Sequence, residues 1–134
     1  CIRDRGRRLM EIPGVGPLLA SAFIATIAEP KIFRSGRNLA AWIGLVPRQN
    51  SSGTKERLGG ITKAGNRYLR QMLVVGAMAV IRQIERSGAK KPWLVQLLAR
   101  RKIKVAAVAL ANKTARTIWA MMISGEHYRE PVAV

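Results

Sequence analysis

Apolar residues recur at helical spacing along almost the whole chain, and no run of strictly alternating residues marks a central strand. The pattern predicts an all-α domain. Residues 3–11 read as the end of a helix that runs into IPGVGP, a short glycine turn at residues 12–17. A second helix is expected from Leu18 to Ala28, stopped by Glu29 and Pro30. A third helical stretch, NLAAWIGL, is expected where Ser35 and Asn38 flank its start. Polar and glycine-rich residues 46–66 follow, the one long irregular stretch the pattern leaves. Loops of that length inside compact domains are uncommon and often functional. Beyond it a long helix is expected from Asn66 to about Arg86, with an apolar stripe of Leu69, Met72, Leu73, Gly76, Val80 and Ile84. A shorter helix begins near Pro92, and an alanine-rich one spans Ile103 to Ile123, its small residues suited to close packing. The helical remainder thus covers residues 66–123, and the tail 124–134 reads as loose.

Composition supplies what periodicity cannot. With 134 residues and 49% hydrophobic content, the chain has material for one core and the size of one domain. Against that core stand 24 Lys and Arg and 7 Asp and Glu, a formal charge of +17. Such an excess repels itself unless a polyanion neutralises it, and DNA, RNA and an anionic membrane surface are the candidates. The membrane is the weakest of these, because the longest clean apolar run, MLVVGAMAVI at residues 72–81, is half the length of a spanning helix of about 20 residues. No signal peptide is visible among the charges of the first residues, and the expected location is cytoplasmic, with the nucleoid. One cysteine and one histidine exclude an internal disulfide and leave too few soft ligands for structural zinc. The opening CIRDRGRRLM carries no initiator Met and reads as part of a longer protein.

Two segments carry candidate chemistry. Around IPGVGP, from about residue 9 to 28, the pattern looks like a helix-hairpin-helix element. There Gly14, Val15 and Gly16 would let backbone approach a phosphate, and amides at the next helix start would face the anion. An ordinary tight helical hairpin, with glycine only ending a helix, is the other reading. In the second segment Ser51 and Ser52 precede Gly53, surrounded by Arg48, Lys55, Arg57, Lys63, Arg67 and Arg70. Cations of this kind can hold a scissile phosphate and stabilise charge on its oxygens while an activated serine attacks phosphorus. They can equally form a solvated turn that grips phosphate and does no chemistry.

The run FRSGRNLAAWIGLVPRQNSSGTKERLGGITKAGNRYLRQMLV, residues 33–74, together with the preceding IPGVGP, closely resembles the C-terminal domain of insertion-sequence transposases of the 110/116/902 group. The resemblance extends from about Leu9 to Ile123 and rests on the combination of glycine turn, G-L-x-P-R, S-S-G and K-A-G-N-x-x-L-R. It implies a protein of two parts: an N-terminal RNase H-like domain whose acidic tetrad holds Mg²⁺, and a C-terminal domain whose serine joins DNA covalently. It also implies a bridge RNA that selects donor and target sites, and a homo-oligomeric full-length protein. The family serine immediately precedes glycine and corresponds to Ser52 here, with the nearby cations as DNA contacts. This chain departs from that pattern in having only scattered carboxylates, at Asp4, Glu11, Glu29, Glu56, Glu85, Glu126 and Glu130. Two-metal chemistry needs carboxylates that converge, so the chain alone is expected to bind nucleic acid without recombining it. A non-catalytic helix-hairpin-helix binding module is the alternative.

Other residues have plainer expectations. Trp42, Trp93 and Trp119 lie in apolar helical contexts and are expected to pack in the core rather than stack on bases. His127 sits in the tail with no partner in sequence and is read as a surface residue. Tyr68 lacks the His and Arg constellation of a tyrosine recombinase and is read as packing or a phosphate hydrogen bond. The run RRKIK at 100–104 is either a solvated helix junction or part of a nucleic-acid surface.

Overall fold

A computed structural model describes residues 2–27, 29–45, 47–52, 55–61, 66–87 and 92–129, with the two strands among them described by backbone path and register alone. The chain opens with α1 (Ile2–Leu9), whose end is wound into a turn by hydrogen bonds from Glu11 N–H to Arg8 O and from Ile12 N–H to Leu9 O. Pro17 starts α2 (Pro17–Thr26) at a position where the missing N–H of proline costs nothing. A single 3₁₀ turn, Pro30–Ile32, follows.

Local chemistry fixes both ends of α3 (Gly36–Ile43). The Ser35 side chain accepts a hydrogen bond from Asn38 N–H at 3.2 Å, capping the first turn. At the other end Gly44 adopts φ +93, and the N–H groups of Gly44 and Leu45 bond back to the carbonyls of Ala41 and Ala40. That is a Schellman ending, which needs a residue without a Cβ at the left-handed position, and it buries the following Leu45. Asn66 performs the equivalent of Ser35 for α4 (Arg67–Ser87), its Oδ1 accepting from Leu69 N–H at 3.0 Å.

The core is helical, as the apolar spacing predicts. Leu69, Leu73, Ala77, Val80, Ile81 and Ile84 form the buried stripe of α4, and Met72 packs at its edge. This stripe meets α6 (Ile103–Ser124), whose Ala106, Ala107, Ala111 and Ala115 are buried and let neighbouring backbones come close. Helix α6 also carries α3, the 3₁₀ turn and α5 (Pro92–Arg100) on its sides. Phe23 of α2, fully buried, closes the core next to α4.

The segment 46–66 departs from expectation. Instead of an irregular loop, most of it is an antiparallel hairpin, β1 (Pro47–Ser52) with β2 (Lys55–Ile61). Ser52 pairs with Lys55, Ser51 with Glu56, Asn50 with Arg57 and Gln49 with Leu58, and the register shifts between Pro47 and Gln49. Leu58 and Ile61 are the only large apolar residues in the two strands, so no alternation signalled them. The tail differs too: α6 runs through Ser124, and His127 and Tyr128 are hydrogen-bonded to Glu11 in the turn after α1.

Candidate nucleic-acid interface

The three residues of the glycine turn have three different surroundings. Gly14 adopts φ +90 and lies against α4, where a Cβ on it would sit 2.9 Å from the carbonyl oxygen of Gly76. Gly76 is its counterpart, since a Cβ there would run into the Gly14 carbonyl. Val15 is buried, at 5% exposure. Only Gly16 looks outward: it is the N-cap of α2, it is exposed, no side chain caps the helix there, and a Cβ would meet nothing within 4 Å. The turn therefore uses one glycine to approach another helix and leaves one facing solvent at a helix start.

Helix α4 follows the hairpin in sequence and meets the glycine turn at Gly76, while the hairpin strands pair only with each other among the described elements. Arg67, in the first turn of α4, lies nine residues before Gly76, or about 14 Å along the axis at 1.5 Å per residue. Arg67 is exposed. Arg70, one turn on, is half-buried, and its guanidinium donates to the carbonyl of Ile43 at 3.1 Å, at the end of α3. Asn112 of α6 donates to the carbonyl of Leu45 at 3.4 Å, so the same corner is held from two helices. The hairpin leaves the core from this corner. Ser52 is the last residue of β1, paired with Lys55, and Arg48 and Arg57 also lie on the two strands. Lys63 falls outside the described residues.

Several residues take places that the sequence did not announce. Trp119 is half-buried, and its indole N–H donates to the carbonyl of Pro30 at 3.0 Å. Trp42 and Trp93 are not core residues; each is 42% exposed. Trp93 lies under the Lys113 ammonium, 4.3 Å from the ring centroid, which links α5 to α6. Trp42 meets the ring of Phe33 at a tilt, with centroids 5.7 Å apart and an angle of 60°. His127 is a surface residue, as read, and its Nδ1 lies 3.0 and 3.1 Å from the two oxygens of Glu11. Tyr128 N–H also donates to Glu11, at 3.2 Å, and its ring packs on the core. The Tyr128 amide and then the His127 ring hold the Glu11 carboxyl below its ordinary pKa of 4.5. Gly76 was legible as an isolated glycine in an apolar helical stripe, a usual mark of close packing, whereas nothing in sequence pairs Glu11 with His127.

Among the described residues no group of three or more His, Cys, Asp or Glu side chains could hold a metal ion, and no helix is long and apolar enough to cross a membrane. Comparison with known proteins bears directly on the segment just described. The profile of the transposase IS116/IS110/IS902 family matches residues 6–93, which include the glycine turn, the hairpin and all of α4. The protein y4pF/y4sB of Sinorhizobium fredii is 51% identical over 126 residues, covering 92% of this chain and 33% of its own length. The "Probable family 20 transposase" of Pseudomonas aeruginosa is 48% identical over 126 residues, 93% of this chain and 37% of that protein. The transposase for insertion sequence element IS1111A of Coxiella burnetii is 48% identical over 124 residues, 92% and 34% of the two chains. This chain spans about a third of the length of these relatives. On the strength of that match, the chain belongs to the IS116/IS110/IS902 transposase family.

Proposed function

We propose that this chain is the DNA-holding part of an insertion-sequence transposase and supplies Ser52 as the nucleophile for strand cleavage and transfer. The observation that carries the reading is the family match, which spans the glycine turn and the serine hairpin together. The charge of +17 supports DNA as the partner, since phosphate contacts relieve its self-repulsion. In the proposed step the Ser52 hydroxyl oxygen bonds to phosphorus, the bond from phosphorus to the leaving sugar oxygen breaks, and that oxygen takes up a proton. Arg48, Lys55, Arg57, Lys63, Arg67 and Arg70 are the candidates to hold the phosphate. Cations positioned where charge develops on a phosphoryl group lower the barrier more than they strengthen ground-state binding.

The turn of residues 10–16 and helix α2 would act as the helix-hairpin-helix element, with the exposed Gly16 allowing the start of α2 to approach the backbone of DNA. Contacts of this kind fix the position of the duplex and do not read its sequence. The relatives are about three times as long, and the remainder of such a protein would bring the acidic RNase H-like domain, Mg²⁺ and a bridge RNA. It would act as a homo-oligomer. The described residues of this chain do not fit Mg²⁺, so no step assigned to them runs through it.

Trapping the reaction of the full-length protein on its DNA and mapping the covalent adduct tests the assignment. The adduct is expected on Ser52 and is expected to vanish in Ser52→Ala, while Gly16→Asp weakens DNA binding. A Ser52→Ala protein that still forms the adduct would show the nucleophile to be another residue, and would favour a hairpin that only grips phosphate.

A further inference from the structure

The last carbonyl groups of a helix have no partner within it, and what they bond to decides how the chain leaves. Helix α3 ends at Ile43, four residues before the hairpin begins at Pro47. The Ile43 carbonyl accepts from the Arg70 guanidinium at 3.1 Å, and the Leu45 carbonyl accepts from the Asn112 side chain at 3.4 Å. Arg70 stands near the start of α4, the helix that follows the hairpin, and Asn112 stands on α6, against which both α3 and α4 pack. Arg70 therefore ties one foot of the hairpin to the other, and Asn112 ties the first foot to the centre of the domain. Leu45 is itself buried, at 1% exposure. At the second foot the Asn66 side chain caps α4 through Leu69 N–H. The end of α3 is also the negative end of its dipole, a favourable place for the Arg70 cation.

These ties reach Ser52 through leverage. Among the described elements β1 and β2 pair only with each other, so the direction of the hairpin is set where it joins the core. Ser52 lies five residues beyond Pro47, about 17 Å along an extended strand. At that length a swing of roughly 10° at the root carries the Ser52 backbone about 3 Å. Misplacing reacting atoms by about 1 Å can slow a reaction on the order of a hundredfold. Grip on the rest of the substrate is far less sensitive.

We infer that Arg70 and Asn112 are positioning residues, which fix the root of the hairpin and so aim Ser52 at phosphorus. This rests on the reading of Ser52 as the nucleophile, and it has Arg70 serve the reaction through Ser52 and not by touching phosphate. The test uses the full-length protein with Mg²⁺ and its bridge RNA, on a labelled duplex carrying one end of its insertion element. Arg70→Met and Asn112→Ala are each compared with the parent for the rate of adduct formation at saturating protein, the duplex affinity and its salt dependence. Both variants are expected to form the Ser52 adduct at least about tenfold more slowly, with duplex affinity and salt slope close to the parent's. Circular dichroism checks the fold, and should Arg70→Met not fold, Asn112→Ala, which removes one half-buried donor, carries the same comparison. Adduct formation at the parent rate overturns the inference and leaves Ser52 as the nucleophile. A salt slope reduced by about 0.9 in Arg70→Met, with affinity falling alongside the rate, makes Arg70 a phosphate contact and also overturns it. A parent adduct on another residue overturns the reading of Ser52, and the inference with it.

Discussion

Gly14 and Gly76 divide the work of the glycine turn in a way that spacing alone could not reveal. Both are visible in the sequence, one in IPGVGP and the other in the α4 stripe, but only the fold puts the carbonyl of each where the Cβ of the other would be. The expectation that Gly14, Val15 and Gly16 act together on phosphate therefore separates by residue. Gly14 packs against α4, Val15 is core, and Gly16 alone of the three is exposed, the position the proposed function uses. Gly76→Ala is expected to destabilise the chain by about 1–3 kcal/mol, the usual cost of forcing a methyl group into a packed contact. Gly14→Ala should cost at least as much, because its φ of +90 adds backbone strain to the clash. Gly16→Ala, with open space around it, should stay within about 0.5 kcal/mol of the parent. Urea denaturation of the three variants measures this, and a Gly16→Ala as damaging as Gly14→Ala would mean that the turn packs differently. Arg70 shows the same divided role. Its sequence context suggests a phosphate ligand, and the structure has it closing the carbonyl end of α3.

Among the elements, those defined by local chemistry were legible in the sequence. Ser35 before α3, Asn66 before α4 and Pro92 at the start of α5 act where the pattern puts helix starts, through backbone groups a few residues away, whereas Gly44, read as part of the third helix, ends it. The β-hairpin was not legible, because a hairpin of polar residues lacks period-two hydrophobicity. Ser52 could be singled out as a residue, but its position at the end of β1 opposite Lys55 could not. The tail departs from expectation for a different reason: its anchor, Glu11, lies at the opposite end of the sequence. That anchor should respond to pH. Hydrogen bonds from Tyr128 N–H and His127 favour the ionised carboxylate, so the Glu11 pKa is depressed in the folded chain. A depressed carboxylate contributes its stabilisation in full above its ordinary value of 4.5 and loses it as the pH falls through the lower, folded value. The Tyr128 amide resonance is therefore expected to titrate with a midpoint below 4.5, and Glu11→Gln should abolish that titration. A midpoint at or above 4.5 would show that the interaction does not hold the tail.

At the scale of the whole molecule, the imbalance between 24 basic and 7 acidic residues has two consequences that pull in different directions. It puts exposed basic groups on several surfaces, the first turn of α4, the start of α3 and the 100–104 run, which suits the polyanion binding of the proposed function. It also deprives the described residues of the converging carboxylates that metal-assisted phosphoryl transfer requires, so binding and chemistry should be separable. Relatives about three times as long are where such carboxylates would be supplied under the proposed function. The separation can be tested with this chain alone. Its duplex affinity, measured by anisotropy across a salt series, is expected to fall with a log–log slope of about −0.9 for each phosphate contacted, so that several contacts give a slope of several units. In the same mixtures, with Mg²⁺ added, the DNA is expected to remain uncut. A shallow slope near zero would mean that the basic surfaces do not engage the phosphates, and strand cleavage by the isolated chain would mean that its own scattered carboxylates are enough for chemistry. The first result would undercut DNA holding as its role, and the second would undercut its dependence on an acidic domain elsewhere.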